Sequence, residues 1–129
     1  MRYLLDTHVL LWVLADPERI PAAIRAELAS SENAVFVSVA SLWEIAIKRA
    51  LQKEEFLIEP DEIHRALIPS GLVETAISAA HVLEVAKLPP LHRDPFDRLL
   101  VATARVDGLV LVTRDRALPA YNVGVLRLP

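Results

Sequence analysis

Four acidic residues that lie far apart in the chain are the strongest candidates for chemistry. They are Asp6, Glu44, Asp97 and Asp115. Two of them follow apolar runs typical of strands, and two lie in stretches typical of helices. Carboxylates that converge repel one another strongly at low dielectric, so such a cluster is stable only with protons or a cation among them. Oxygen ligands favour Mg²⁺ or Mn²⁺, and a hard cation held by carboxylates suits phosphate chemistry.

The stretch from His92 to Ala104 shows how one of these acids is positioned. Asp94 can cap a helix, Pro95 suits its first position, and Asp97 falls in the first turn. The following apolar residues have the spacing of one buried helix face. Because one carboxylate suffices to cap a helix, we expect Asp94 to cap and Asp97 to be available for chemistry.

Each acid also has a simpler explanation. Asp6 can cap the helix that follows it, and Asp115 can be an ordinary turn residue. Glu44 can pair with Lys48 on the surface of a helix, where such pairs stabilise only slightly. These explanations account for the acids one at a time and leave their shared placement unexplained.

The elements that must position these acids alternate between strands and helices. Strands are predicted at Arg2–Leu5, Ala34–Val37, Leu72–Thr75, Leu109–Thr113 and Val123–Leu126. Helices are predicted at Thr7–Leu14, Pro21–Ser30, Ser38 or Ser41 to about Gln52, Pro60 to about Ile68, Ser78 to about Lys87, and Pro95 to about Asp107 with Gly108 as its stop. The stretch Phe56–Ile58 is predicted as either a short strand or an extended lead-in. This alternation predicts an α/β fold with a parallel sheet between helices, and ligands of such sheets collect at the carboxyl ends of the strands.

Composition narrows the class of protein. A chain of 129 residues that is 53% hydrophobic predicts a single domain with a sizeable core. There is no apolar run of 18 residues, so we expect no membrane association, and the N-terminus does not resemble a signal peptide. The absence of cysteine rules out disulfides and thiolate metal sites. A net charge of −3 gives no general attraction to nucleic acid, so binding RNA or DNA would require a local basic patch or a metal.

The stretches around the four acids resemble the PIN domain and, more narrowly, the VapC-type toxins of bacterial toxin–antitoxin pairs. The resemblance lies in LLDTHVLLW at Asp6, SLWEIAIK at Glu44, HRDPFDRLLVA at Asp97 and VTRD at Asp115. These motifs occur in the family's order and span nearly the whole chain. The resemblance implies one PIN domain over residues 1–129, folded as a three-layer α/β/α sandwich around a central parallel sheet.

The resemblance also implies an activity. It is that of an endoribonuclease dependent on Mg²⁺ or Mn²⁺, the toxin of a type II toxin–antitoxin pair, located in the cytoplasm. It makes Asp6, Glu44, Asp97 and Asp115 the catalytic and metal-binding acids, and it implies an RNA substrate, a VapB-like antitoxin partner and a homodimer. In-line attack of an activated water on the phosphorus would leave a 5′-phosphate.

Other residues near these motifs have supporting roles in this hypothesis. Thr7 and Thr113 can orient a water or an acid through hydrogen bonds, and Asp94 supports the helix of Asp97. Four arginines can meet RNA phosphates or simply balance the acids; they are Arg93, Arg98, Arg114 and Arg116. We expect structural or substrate-contact roles for His8 and His92.

Two other classes of protein stay open. A catalytically inactive PIN-like module would only bind protein. A phosphoacceptor signalling domain usually needs an acidic pair after the first strand and a lysine after a late strand, whereas Thr7 follows Asp6 and Arg114 follows the late strand here. If the four acids do cluster, at least one should have a raised pKa without metal.

Overall fold

The computed structural model describes residues 1–54 and 56–129. In these residues five strands alternate with six α-helices. The strands are β1 (Arg2–Leu5), β2 (Ala34–Ser38), β3 (Val73–Thr75), β4 (Val110–Thr113) and β5 (Val125–Arg127). The helices are α1 (Thr7–Ala15), α2 (Ala22–Ala29), α3 (Val39–Ala50), α4 (Pro60–Leu67), α5 (Ala79–Val85) and α6 (Pro95–Asp107). Short 3₁₀ helices occupy Pro17–Arg19 and Leu118–Tyr121.

The strands form one parallel sheet in the order β3-β2-β1-β4-β5. The central strand β1 pairs with β4 so that Leu5 lies opposite Val112. All carboxyl ends therefore meet at one edge of the sheet, and Asp6 follows β1 at this edge. The parallel sheet predicted from the alternating elements is confirmed.

Two apolar clusters cover the two faces of the sheet. Successive side chains of a strand point to opposite faces. Accordingly, Tyr3 and Leu5 pack in one cluster with residues of α1, α3 and α4, whereas Leu4 packs in the other with residues of α6. This arrangement is the three-layer α/β/α sandwich that the resemblance implied. No helix in residues 1–54 and 56–129 has both the length and the apolar character needed to cross a membrane.

Helix α6 begins and ends at the predicted residues because local signals fix both ends. The Asp94 carboxylate accepts hydrogen bonds from the backbone amides of Phe96 and Asp97, and Pro95 occupies the first turn. Gly108 ends the helix with φ of 68°, a left-handed conformation that glycine adopts without a steric penalty.

Two strand predictions need adjustment. The last strand begins at Val125 rather than Val123, because pairing with β4 starts where Val125 lies opposite Leu111. Phe56–Ile58 forms no strand and leads into α4; Phe56 is buried and Leu57 is exposed. Glu55, directly before this stretch, lies outside the described residues.

The packing of α6 can be tested by truncating one buried side chain. Leu100 is 0% exposed and Val106, on the same helix, is 43% exposed. Leu100→Ala should lower the free energy of unfolding by about 2–5 kcal/mol, because it removes buried methyl groups and leaves a cavity. Val106→Ala, the control, should change it by no more than about 0.5 kcal/mol. Urea denaturation measures both, and equal losses would contradict this assignment of the core.

Candidate active site

Asp6 is held at the junction of β1 and α1. It is buried, and one carboxylate oxygen accepts a hydrogen bond from the Val9 amide at 2.8 Å, which caps α1. The other oxygen accepts a hydrogen bond from the Thr113 hydroxyl at 2.5 Å. Asp6 is therefore a helix cap, and it is also fixed against the end of β4. Each oxygen can still accept a further bond, because a carboxylate oxygen has two lone pairs.

Burial raises the pKa of Asp6 above its ordinary value, since a charged carboxylate is poorly solvated there. The hydrogen bonds from Thr113 and Val9 oppose this rise, and the negative charge of Glu44 adds to it. Because the charge of Glu44 affects the pKa of Asp6, the two carboxylates are close enough to interact electrostatically.

Glu44 is buried on α3, with only 2% of its surface exposed. One carboxylate oxygen forms an ion pair with the Lys48 ammonium. The other, Oε1, is buried and has no hydrogen-bond partner among the described residues. The Glu44–Lys48 pair of the simpler explanation does form, but its placement on the helix surface is wrong, because α3 directs the Glu44 side chain into the protein. A buried acceptor without a partner is costly, so this oxygen is well suited to receive a cation.

Asp97 lies in the first turn of α6, three residues after the capping Asp94. Burial, and then the charges of Asp94 and Asp6, raise the pKa of Asp97 to about 7. A raised pKa is expected in a cluster of acids, and Asp97 and Asp6 both have one. Without a cation, the Asp97 carboxyl therefore keeps its proton to higher pH than an ordinary aspartate.

His92 joins Asp97 to Asp115. Its Nε2 atom lies 2.7 Å from Asp115 Oδ2 and 3.4 Å from Asp97 Oδ2. Its Nδ1 atom accepts a hydrogen bond from the Asp94 amide at 3.0 Å, so the Nε2 atom carries the proton and donates it to Asp115. These three side chains offer ligand atoms within 4.8 Å of one another. The contact with Asp115 had no sequence signal beyond the position of His92 next to the acidic motif.

The pKa of Asp115 is lowered, in contrast to those of Asp6 and Asp97. Partial burial acts to raise it, but hydrogen bonds from the Ala117 amide and His92 outweigh that effect. Asp115 is thus the acid whose negative charge is best compensated within the protein.

Thr113 and Thr7 connect the elements that carry the acids. The Thr113 hydroxyl donates to Asp6 and accepts from the Asp115 amide at 2.9 Å, so it fixes both acids relative to β4. The Thr7 hydroxyl donates to Ser41 Oγ at 3.0 Å and joins α1 to α3. From the sequence, Ser41 was expected only as a possible start of α3.

A cleft of about 800 Å³ opens next to three of the acids. Asp6, Asp97 and Asp115 line it, together with Trp12 and Arg114. Glu44 is not among its lining residues, although the charge of Glu44 influences both Asp6 and Asp97. The structure thus places three acids at the cleft and the fourth within electrostatic reach.

The four candidate arginines are placed differently. Arg114 is exposed at the cleft with its guanidinium 5.8 Å from the centre of the Trp12 ring, and Arg93 and Arg116 are also exposed. The Arg98 guanidinium instead donates to the Tyr121 hydroxyl and to three carbonyls, those of Val85, Leu88 and Pro89. Arg98 therefore braces the connection between α5 and α6.

Comparison with known proteins identifies the family. The PIN domain model matches residues 3–123. Ribonuclease VapC22 of Mycobacterium tuberculosis is 31% identical over 131 residues, covering 92% of this chain and 91% of that protein. The chain belongs to the PIN domain family and is similar to its VapC members.

Solved structures share the fold at lower sequence identity. VapBC2 from Rickettsia felis, bound to a DNA fragment from the promoter, has a TM-score of 0.75 and 17% identity with all of both chains covered. VapC20 of Mycobacterium tuberculosis, a sarcin–ricin loop cleaving toxin, has a TM-score of 0.66 and 14% identity over 97% of this chain and 98% of that one. A toxin–antitoxin complex from Klebsiella pneumoniae has a TM-score of 0.64 and 22% identity over 96% and 95%.

The raised pKa of Asp97 predicts how stability depends on pH in the absence of metal. The folded protein binds this proton more tightly than the unfolded chain, whose carboxyl has its ordinary value of 3.8. Stability from this group is therefore complete at low pH and is lost as the pH rises through about 7. Between about pH 5 and about pH 8, this group should lower the free energy of unfolding of the wild-type protein by on the order of 3 kcal/mol. Asp97→Asn should not show this decrease, because it has no carboxyl to titrate.

Urea denaturation in EDTA at several pH values tests this expectation. Asp61→Asn, which changes an exposed acid of α4, is the control and should retain the wild-type pH dependence. Parallel pH profiles for the wild-type protein and Asp97→Asn would show that Asp97 has an ordinary pKa.

Proposed function

We propose that the protein is a metal-dependent endoribonuclease, formed by a single PIN domain over residues 1–129, and the toxin of a type II toxin–antitoxin pair. The observation that carries this proposal is the convergence of two buried acids, Asp6 and Glu44, and two half-buried acids, Asp97 and Asp115, near the carboxyl edge of the sheet of a PIN domain. The names of the similar proteins, a ribonuclease and a sarcin–ricin loop cleaving toxin, support RNA as the substrate.

The donor set fits a hard divalent cation. The four acids offer only oxygen, and Glu44 Oε1 is buried without a partner among the described residues. Burial first, and then the neighbouring negative charges of Asp94 and Asp6, raise the pKa of Asp97. Asp6, Glu44, Asp97 and Asp115 would hold Mg²⁺ or Mn²⁺. Such a cation, when bound, polarises a phosphoryl oxygen, lowers the pKa of a water and stabilises a leaving oxygen.

The side chains at the cleft divide the remaining work. Thr113 and the Val9 amide fix the orientation of the Asp6 carboxylate. Asp97 lines the cleft together with Asp6, where its carboxylate would hold the cation or orient a water beside it. His92 holds Asp115 through a donated hydrogen bond. We propose that cleavage leaves a 5′-phosphate, and a 2′,3′-cyclic phosphate product would contradict this.

We also propose a protein partner. The complex from Klebsiella pneumoniae, described as toxin–antitoxin, supports a VapB-like antitoxin for this chain. Exposed apolar side chains on α5, including Val82 and Leu83, support a homodimer. A toxin that cleaves RNA and is held by an antitoxin would act in the cytoplasm.

The nuclease proposal is tested by cleavage of total bacterial RNA by the purified protein. Cleavage should require Mg²⁺ or Mn²⁺ and stop with EDTA. The double variant Asp6→Asn/Asp97→Asn should lose activity by about a hundredfold or more, because it removes two acids that face the cleft. Circular dichroism verifies its fold, and Asp61→Asn should cleave like the wild type. If the wild-type protein binds Mn²⁺ yet cleaves no RNA in the presence or absence of metal, the inactive protein-binding module becomes the better hypothesis.

The role of Arg114 is tested by the salt dependence of RNA binding. Binding of a single-stranded RNA oligonucleotide is followed by fluorescence anisotropy with EDTA present, which prevents cleavage. Arg114→Ala should reduce the slope of log K against log salt by about 0.7, because one phosphate contact is lost. Arg2, at the opposite edge of the sheet, gives the control variant Arg2→Ala, whose slope should be unchanged. An unchanged slope for Arg114→Ala would exclude a phosphate contact.

A further inference from the structure

We propose that Lys48 is a built-in cation of the active site, which takes the place of a second divalent ion and limits the site to one. This inference rests on the proposed function, since it assumes that the acids bind a divalent cation. From the sequence, Lys48 was expected only to pair with Glu44 on the surface of a helix.

The first argument is the environment of Glu44. This carboxylate is 2% exposed, and the Lys48 ammonium is its only hydrogen-bonding partner among the described residues. The other acids are compensated differently. Asp6 receives hydrogen bonds from Thr113 and Val9, and Asp115 receives them from His92 and Ala117. The charge of Glu44 is therefore compensated by Lys48 alone among the described residues, whereas Asp6 and Asp115 each have two hydrogen-bond donors.

The second argument is the position of the ammonium itself. Lys48 lies one helical turn after Glu44 on α3, and its side chain is 27% exposed. Its Nζ atom lies 4.9 Å from the centre of the Phe56 ring, whose face attracts cations. Its charge also interacts with those of Asp94 and Asp97. The ammonium thus contacts Glu44 and an aromatic ring and lies within electrostatic reach of two further acids.

The third argument is the balance of charge. The four acids carry four negative charges when ionised. Lys48 and one divalent cation balance three of them, so a second divalent cation would make the group positive. Without Lys48 two divalent cations would leave it neutral. The ammonium therefore disfavours the second ion, while Glu44 Oε1 stays available to the first.

The experiment counts bound ions rather than activity. Isothermal titration calorimetry with Mn²⁺, checked by electron paramagnetic resonance of free Mn²⁺, gives the number of ions per chain. We expect one ion for the wild-type protein and two for Lys48→Met. Lys48→Arg keeps the positive charge and should restore one. Arg49→Met is the matched control, because Arg49 is the next cation on α3 and pairs with Glu59 instead of the site.

The outcomes separate this inference from the proposed function. Two ions in the wild-type protein, or one in Lys48→Met, overturn the role of Lys48 and leave the nuclease proposal intact. No ion bound by the wild-type protein at millimolar Mn²⁺ overturns the metal site of the proposed function as well.

A second measurement guards against a variant that folds poorly. Removing one partner of a buried ion pair is strongly destabilising, whereas removing both is tolerated much better. Lys48→Met should therefore melt at a lower temperature than the wild type in EDTA, and saturating Mn²⁺ should close most of this gap. Glu44→Gln/Lys48→Met should melt close to the wild type in EDTA. If Lys48→Met loses no stability in EDTA, Lys48 does not compensate charge in the folded protein.

Discussion

The repulsion among carboxylates at one edge of the sheet is the constraint on which the rest of this structure depends. The parallel sheet brings the ends of its strands together, and the acids come with them. A different group compensates each of three negative charges there: the Thr113 hydroxyl bonds to Asp6, the Lys48 ammonium pairs with Glu44, and His92 bonds to Asp115. Asp97 has the weakest compensation and instead retains a proton up to about pH 7. Fold and chemistry are thus linked, because the packing that stabilises the sheet creates the electrostatic repulsion that the proposed cation would relieve.

The elements that the sequence predicted best are those with local signals at both ends. Helix α6 starts at Pro95 after Asp94, whose side chain accepts hydrogen bonds from the first amides, and it ends at Gly108 in a left-handed conformation. The alternating pattern likewise predicted the parallel sheet. The start of β5 was misplaced because no local signal distinguishes Val123 from Val125, and the register with β4 depends on a strand distant in the chain.

The site was predictable in outline and not in its contacts. The motifs identified four acids, and the structure places three at one cleft with Glu44 in electrostatic reach. Sequence could not show that α3 buries Glu44 or that Arg98 turns away to brace a loop, because both depend on packing between distant elements. The contact between His92 and Asp115 spans 23 positions in the chain and depends on the same packing. The catalytic roles of the four acids stay predictions.

Repulsion among the acids of the metal-free protein would affect how the proposed cation binds. Any ligand that binds only the folded state stabilises it, and the gain grows with affinity. In this protein part of that affinity would come from relief of repulsion that already exists, so a divalent cation need not bring many new contacts. A permanent ammonium at Glu44 lowers the strain of the metal-free protein, yet it also reduces the charge that attracts further cations. The same lysine would therefore set both the stability of the unloaded protein and the number of ions that the loaded protein holds.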